Sequence, residues 1–535
     1  MSTPPPPCKT GRGGAAGLAG ASPLAPPASQ IPWLLAGPAG GWLALGSVAM
    51  VAVAAIALDQ PLLALLAGAA VPAVLLTVVW SEGLIPQVIF ILYSNAAVVA
   101  VRFHGVPGPA AALLPAVLAI PLLRYILLDG RPLILTSTLP WVLLFMLVQT
   151  LGVLVARYPE EAWKNVQTMV LEGLALYVVI TNVIRSRTTL RWAIGALLLA
   201  GGFMGGLSVY QQATRTFDNH YGGFAQVPGL GFAVAEDGVE HRQARLCGPV
   251  GEQNRYAQIM LMLVPLGYFY CLSETSRKRQ AWAAVATLLS AAGCVLAFSR
   301  GTAVAFALML VLMTMMGQLR IRHLLVLVLA TLLLLVASPQ YLIRLASIQS
   351  LVDVAVSGHT AEGELDGATR GRLTVMFAAA RVAADYPLTG VGPGMFNHYS
   401  RAYGNDGGLR ALEGTREAHC LYLQLAAEHG LPGLVCFLAM LGAAFRGLVQ
   451  TRRIWQVHDP QLANWATGFL LALASYVATS LFLHFSYARY FWLILAISDA
   501  TSYLGRQFAL RHPLAPPRAP RASLASSCVP NPHAV

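Results

Sequence analysis

The sequence predicts an all-α fold: a polytopic transmembrane helical bundle of about 12–14 spans, with a large external loop that contains short helices. Of the 535 residues, 56% are hydrophobic and only 11% are charged, and the mean hydropathy is +0.62. Many apolar runs approach the length of about 20 residues that a helix needs to cross a hydrocarbon core of about 30 Å. This composition differs from that of soluble domains, so the bilayer is the expected main solvent.

The apolar runs define the expected membrane helices in chain order. They are 33–58, 61–80, 84–101, 110–128, 133–155, 168–184, 191–212, 253–272, 281–298, 302–317, 324–338, 420–445, 464–484 and 490–505. No compact signal-peptide pattern with a cleavage site precedes the first run, which predicts a retained helix. Residues 1–30 and 506–535 are rich in Pro, Ala and other small residues, and both are predicted to be disordered tails.

Arginine and lysine fall on alternate connections between these runs, which predicts the orientation of the chain. The basic residues are Arg185, Arg187, Arg191, Arg277, Lys278, Arg279, Arg320, Arg322, Arg446, Arg452, Arg453, Arg506, Arg511, Arg518 and Arg521. Because cytoplasmic loops are enriched in such residues, both termini are predicted to be cytoplasmic. The expected domains are membrane helices at 31–338 with an external connection near 213–252, a large external loop at 339–419, and C-terminal membrane helices at 420–505.

Composition also argues against several kinds of site. The net charge of +12 is spread over short loops without interleaved aromatics, so no nucleic-acid partner is expected. Seven cysteines form no Cys-x-x-Cys pair, which indicates neither a zinc site nor a disulfide framework. Glu362, Glu364 and Asp366 resemble a solvated acidic turn more than a metal anchor, so neither metal nor cofactor is expected.

The predicted external loop contains a helix over 371–385 that ends before Pro387. Five apolar side chains follow helical spacing and form one stripe: Leu373, Met376, Phe377, Ala380 and Ala384. Such a helix is typical either of the membrane surface or of a surface helix packed on the bundle. The next segment, Pro387 to Phe396, contains three glycines that permit tight turns and close backbone approach.

His419 stands where the chain re-enters the membrane, near the start of a predicted helix. The helix dipole there disfavours the imidazolium form, so the ring is expected to be neutral and able to accept a proton. The alternative is a structural histidine that caps the helix. Glu428 follows nine residues later, which on a straight helix puts it on the opposite side and predicts a structural role.

Four arginines are expected on the same side as His419: Arg245, Arg300, Arg372 and Arg489. Arg300 lies in Ser299-Arg300-Gly301 between two apolar runs. A cation so close to two spans must reach the interface, pair with another group or face a wet cavity.

Taken in order along the chain, these motifs resemble the O-antigen ligase and polymerase superfamily of bacterial inner-membrane proteins. The resemblance covers about residues 245 to 440 and is carried by Gly248 to Asn254, Ser299-Arg300-Gly301, Gly371-Arg372, Pro387 to Phe396 and His419 to Gly433. It implies a GT-C-like membrane fold and a multi-pass enzyme of the bacterial inner membrane whose site faces the periplasm. It also implies glycosyl transfer without metal or other cofactor.

The chemistry implied by the resemblance is transfer of a glycan from undecaprenyl diphosphate to an acceptor hydroxyl. His419 corresponds to the base, Arg300, Arg372 and Arg245 to the groups that bind the diphosphate, and Arg489, His484 and Asn254 to supporting residues. The expected partners are the lipid-linked glycan donor, membrane lipids, and a glycolipid, growing polysaccharide or protein acceptor.

Three alternatives remain open at the level of sequence. A ligase and a repeat-unit polymerase of the same superfamily are not separated by these residues. A transporter or flippase of lipid-linked glycan would also use external arginines, but it is expected to carry ionisable residues or broken helices at mid-depth, so it ranks second. In a non-catalytic membrane scaffold, His419 and Arg300 would serve packing only.

Overall fold

The computed structural model describes residues 81–108, 111, 115–228, 232–236, 239–318, 367–406, 411–412, 414–485 and 488–511. The predicted spans 33–58, 61–80 and 324–338 lie outside the described residues, as do the tail at 1–30, the tail beyond 511, Arg320, Arg322 and the acidic turn at 362–366. The chain divides into two compact units. One comprises Trp80–Ile126 and Arg131–Val535 and contains every feature discussed below, whereas the other, Met1–Val79 with Leu127–Gly130, lies almost wholly outside the described residues.

The described residues are mainly helical. The helices are α1 (Leu84–Tyr93), α2 (Ala96–His104), α3 (Ala119–Leu123), α4 (Leu139–Gly152), α5 (Pro159–Met169), α6 (Leu176–Val183), α7 (Arg187–Thr214), α8 (Gln253–Ser273), α9 (Arg277–Leu296), α10 (Arg300–Met315), α11 (Gly367–Asp385), α12 (Phe396–Asn405), α13 (Leu421–His458), α14 (Pro460–Thr479) and α15 (Ala488–Arg511). A π-helical turn, Val170–Ala175, joins α5 to α6. Between α7 and α8, the strands β1 (Phe232–Glu236) and β2 (Val239–Gln243) form an antiparallel hairpin.

Six helical segments in the described ranges are long and apolar enough to cross a membrane. They are Pro159–Val183, Arg187–Thr214, Gln253–Ser273, Arg277–Leu296, Leu421–Gln456 and Pro460–Thr479. A seventh span is present if α1 and α2, which meet at a bend of 59°, are counted as one. The prediction of a polytopic helical bundle is therefore confirmed.

The centre of this bundle is built from the later helices. α8 packs along α14 and α9, while α13 packs on α14, α15 and α4. The tryptophans Trp455, Trp465 and Trp492 are fully buried between these helices. Side chains on both sides of the predicted external loop thereby share one hydrophobic core, which fixes the elements that carry the site.

Several elements begin or end elsewhere than the apolar runs predict. The run at 84–101 is broken at Asn95, whose φ is +59°. α4 begins at Leu139 instead of 133, because Pro140 favours the first turn of a helix and the Thr136 hydroxyl accepts the Leu139 N–H at 3.1 Å. α15 continues to Arg511, so the first residues of the tail predicted at 506–535 are helical.

Basic residues from separate connections meet at one end of the bundle. The Arg187 guanidinium pairs with Asp459, and Glu274 accepts Arg279 at 2.7 Å and lies 3.2 Å from Arg191. We call the opposite end, where α8, α10 and α13 begin and α14 ends, the site end. Leu421 N–H donates there to the Ser480 carbonyl at 2.9 Å.

Candidate functional site

His419 lies at the site end, two residues before α13. Its φ is +50°, a left-handed conformation that is uncommon outside glycine and in which histidine is enriched. Cys420 then caps α13 in an extended conformation. Because His419 is not helical, the angle expected on a straight helix does not describe its position relative to Glu428, and the structural role of Glu428 stays a prediction.

The surroundings of His419 favour the neutral imidazole. Burial lowers the pKa of His419 to about 4, and the cations Arg372, Arg416 and Arg255 add to the shift, while the Glu252 carboxylate opposes it. Burial is the largest cause, which the helix-dipole argument did not include. At neutral pH the ring therefore has a free nitrogen lone pair.

Arg245, Arg300 and Arg372 approach one another beside His419, and we call them the arginine cluster. Burial and the charges of Arg372 and Arg300 lower the pKa of Arg245 to about 10, partly offset by Glu252. Arg245 donates to the Ala297 carbonyl and to the Asn254 side-chain oxygen, each at 3.0 Å. Arg372 also lines a small cleft with Asn254, Ser299 and Thr302. This concentration of positive charge is suited to binding an anion.

Glu252 organises the start of α8 beneath the arginine cluster. Its carboxylate accepts the backbone N–H groups of Asn254 at 3.1 Å and Arg255 at 2.6 Å, which makes it the N-cap of the helix. It also accepts the Asn254 side-chain amide at 3.0 Å. Asn254 is thereby fixed between Glu252 and Arg245, in agreement with a supporting position.

Sequence reasoning missed two further arginines near His419. Arg255 is only 2% exposed and donates to the Gln258 side chain at 2.7 Å and to the His484 carbonyl at 2.5 Å. Arg416 is exposed, and its backbone N–H donates to the Ser400 hydroxyl at 3.0 Å. A signal for Arg255 was available, because it is a charge inside the apolar run at 253–272.

His484 lies against His419, whereas Arg489 lies elsewhere. The two imidazole rings have centroids 5.7 Å apart and meet edge to face. Burial, Arg255 and His419 lower the pKa of His484 to about 3. Arg489 instead donates to the Asn95 side-chain oxygen at the break between α1 and α2, and Asn95 donates to the Pro249 carbonyl at 2.7 Å. The structure thus brings His484 to His419, while the Arg489 guanidinium is engaged by Asn95.

On the other side of His484 lies a polar space of about 330 Å³, which we call the acidic cavity. Its described lining comes from α4, α5, the α5–α6 turn, the segment before α12 with the second residue of that helix, the segment before α13 with α13 itself, and the segment before α15 with the first residue of that helix. The lining residues are Gln149, Glu161, Asn165, Thr168, Met169, Glu172, Pro393, Gly394, Asn397, Glu417, Gln424, Leu425, Glu428, His429, His484, Phe485 and Ala488. Burial raises the pKa of Glu417, although a hydrogen bond with Asn397 opposes the shift.

The glycine-rich segment is bonded to a kink in α13 and thereby shapes the acidic cavity. α13 bends at Gly430, whose φ is +64°, just before Pro432. Pro432 has no N–H to give to Glu428, and the Gly392 N–H bonds to that carbonyl at 2.9 Å instead. A Cβ on Gly390 would lie 2.3 Å from the Glu428 carbonyl carbon. Close backbone approach thus requires glycine there, as the sequence suggested.

Arg372 lies on α11. The buried face of this helix differs from the face that its apolar stripe predicts. The buried positions are Thr374, Val375, Ala378, Ala379 and Val382, and α11 packs through them on α12 and α13. Of the predicted stripe, Leu373 and Met376 are half-buried, whereas Phe377, Ala380 and Ala384 are exposed. The stripe faces away from the bundle, and small side chains mediate the packing.

Among the described residues, no group of three or more His, Cys, Asp or Glu side chains is arranged to hold a metal ion. The groups around His419 are nitrogen bases, guanidinium cations and one capping carboxylate. This arrangement is suited to binding an anion and accepting a proton.

Comparison with known families matches residues 285–438 to the family described as O-antigen ligase. No curated protein matches the chain significantly. The matched residues include Arg300, Arg372 and His419, whereas Arg245, Asn254 and His484 precede or follow them. The helices indicate a multi-pass membrane protein, and the match to the O-antigen ligase family covers less than a third of the chain. Residues 285–438 therefore form a domain of the O-antigen ligase family, and the resemblance to that superfamily is confirmed.

Proposed function

We propose that the protein transfers a glycan from an undecaprenyl-diphosphate carrier to an acceptor hydroxyl at the outer face of the bacterial inner membrane, as an O-antigen ligase. The observation that carries this proposal is a half-buried, neutral histidine beside a cluster of three arginines. Guanidinium groups pair with phosphate oxygens in two parallel hydrogen bonds and stay charged at neutral pH. A diphosphate bound to Arg245, Arg300 and Arg372 would relieve their mutual repulsion.

The reaction is a single displacement that inverts the anomeric carbon. The acceptor oxygen forms a bond to that carbon while the bond from the carbon to the diphosphate oxygen breaks. The electron pair of the broken bond leaves on undecaprenyl diphosphate, whose charge the arginine cluster stabilises. The hydroxyl proton passes to a ring nitrogen of His419 and then to solvent.

The low pKa of His419 is compatible with this role because donor binding adds negative charge. Arg372 lowers the pKa of His419, and a diphosphate on Arg372 would offset that effect. The histidine then becomes a stronger base only when the donor is bound.

The test is reconstituted transfer with purified lipid-linked donor and acceptor. His419→Ala should lower the transfer rate by about 10²- to 10⁴-fold, which is the usual contribution of a positioned base. The midpoint of thermal unfolding should stay unchanged, because the ring is only half-buried.

The matched control is His458→Ala, which removes an exposed histidine at the other end of α13 and should transfer at the wild-type rate. Full transfer by the His419→Ala protein would reject the base assignment. Accumulation of donor with no transfer in wild type, together with its appearance on the opposite membrane face, would favour a flippase instead.

A further inference from the structure

The acidic cavity contains buried polar atoms that the described residues do not satisfy. Gln149 and His429 are 2% and 3% exposed, and neither Gln149 Nε2 nor His429 Nδ1 has a hydrogen-bond partner within the described chain. Asn397 Oδ1 and His484 Nδ1 share this condition. An unsatisfied buried polar group costs about 1–3 kcal/mol, so several around one cavity form a surface that a polar ligand can satisfy.

The unsatisfied atoms and their neighbours define the chemistry of that ligand. Gln149 Nε2 is a donor, Asn397 Oδ1 is an acceptor, and the imidazole nitrogens serve as either. Hydroxyl groups both donate and accept, so a molecule with several hydroxyls on adjacent carbons matches this mixture. A volume of about 330 Å³ lies within the range of small-molecule sites, about 300–1,000 Å³.

The charge of the lining residues further restricts the chemical class of the ligand. Four carboxyl side chains line the acidic cavity, namely Glu161, Glu172, Glu417 and Glu428, and none of its described lining residues is lysine or arginine. The exposed carboxylates of Glu161 and Glu172 repel anions at short range, so a phosphate or a uronic acid is disfavoured. An uncharged sugar is accepted, and an amino sugar gains an ion pair.

The position of the cavity separates it from the arginine cluster. His484 lines the cavity, and its ring contacts His419. Arg372, which belongs to the arginine cluster, lowers the pKa of His419. The His419 and His484 pair therefore connects an anion-binding region and a sugar-binding region. A hydroxyl of a sugar in the cavity would approach the base next to His484.

We propose that the acidic cavity binds the acceptor sugar and selects an uncharged or amino sugar over an anionic one. The assignment of this sugar as acceptor rests on the proposed transfer function. The binding itself does not, because it follows from the unsatisfied atoms and the carboxylates.

Saturation-transfer difference NMR on the full-length protein in detergent micelles tests the binding. The probes are methyl glucoside, methyl glucosaminide and methyl glucuronide. The first two should give difference signals, and the glucuronide signal should be at least about tenfold weaker. Equal signals from all three probes would overturn the selectivity, and no signal from any of them would overturn the site.

Gln149→Leu is the informative variant, since it removes an unsatisfied amide without removing volume. The protein should keep its thermal midpoint while the glucoside signal falls at least about fivefold. The matched control is Gln461→Leu, at the first turn of α14 and far from the site end, which should bind as wild type does. Wild-type glucoside binding by a folded Gln149→Leu protein would contradict the proposal.

Glu172→Gln provides a second test of the proposal that does not depend on Gln149. Glu172 is exposed to the cavity, and removal of its charge should increase the glucuronide signal at least about twofold with little effect on glucoside. An unchanged ratio of the two signals would reject charge selection.

Transfer kinetics distinguish this proposal from the proposed function. Gln149→Leu should raise the acceptor KM about tenfold and leave the donor KM unchanged, whereas a raised donor KM would overturn the acceptor assignment. Full transfer by His419→Ala would instead overturn the proposed mechanism, and the glycoside binding would stand.

Discussion

Arg255 holds together two parts of the site that are far apart in sequence. Its guanidinium bonds to Gln258 within α8 and to the carbonyl of His484 between α14 and α15. The His484 ring then lies against His419. Removing a buried cation from such a network leaves carbonyl and amide groups without a partner, which makes Arg255 a positioning residue for the histidine pair.

At the same scale, Arg300→Lys tests whether geometry or charge alone binds the diphosphate. Lysine keeps the charge but cannot make two parallel hydrogen bonds to phosphate. We expect transfer to fall about tenfold or more with a raised donor KM, since a hydrogen bond to a charged group contributes about 1.5–3 kcal/mol. Arg453→Lys, an exposed position on α13, serves as the control. Turnover and donor affinity near those of wild type in Arg300→Lys would remove Arg300 from the site.

At the scale of elements, the kink of α13 and the glycine-rich segment form one unit. The Val391 and Gly392 N–H groups donate to the Ala427 and Glu428 carbonyls, each at 2.9 Å, while the Leu431 N–H donates to the Pro387 carbonyl at 2.7 Å. Backbone groups released by the kink are therefore satisfied by the loop. Glu428 lines the acidic cavity. The loop supplies hydrogen bonds to the carbonyl groups that the kink releases from the membrane helix.

Gly390→Ala tests the dependence of the site on this unit. Gly390 has φ of +63°, which is unfavourable for alanine by roughly 1–2 kcal/mol, and the added Cβ would collide with the Glu428 backbone. We expect a lower thermal midpoint and a loss of transfer that exceeds the loss of folded protein. Gly442→Ala, where a Cβ meets nothing within 4 Å, should be neutral or stabilising. A wild-type midpoint in Gly390→Ala would show that the loop adapts.

At the scale of the whole molecule, the two ends of the bundle differ in the use of charge. At the end opposite the site, arginines pair with carboxylates, as in Arg187 with Asp459 and Arg279 with Glu274. At the site end, the charges of Arg300 and Arg372 act on Arg245, and Glu252 offsets them in part. The first arrangement is typical of structural ion pairs, whereas the second concentrates positive charge, which favours a bound anion.

The proposed orientation predicts which end is accessible from outside the cell. In a background in which Cys8 and Cys528 are replaced by serine, Glu160→Cys at the site end should react with a membrane-impermeant maleimide in whole cells. His458→Cys, at the other end of α13, should react only after permeabilisation. Both positions are exposed. The reverse pattern would invert the orientation and place the site in the cytoplasm.

Sequence patterns predicted the bundle well because hydropathy is local. They also pointed to residues of the candidate site, because charged residues near apolar runs are conspicuous. His419, Arg245, Arg300 and Arg372 were recognisable in this way. Contacts between distant segments were not: Arg489 is engaged by Asn95, and Glu428 lines the acidic cavity, because the left-handed turn at His419 and the kink at Gly430 break helical periodicity.

The pairing of His419 with His484 has a consequence for the order in which the protein is made. His419 precedes α13, and His484 follows α14, so the ribosome must complete both helices before the two rings meet. The carbonyl that Arg255 holds belongs to the same late segment. A nascent chain that stops within α14 already contains Arg245, Arg300 and Arg372, but it cannot form the histidine pair.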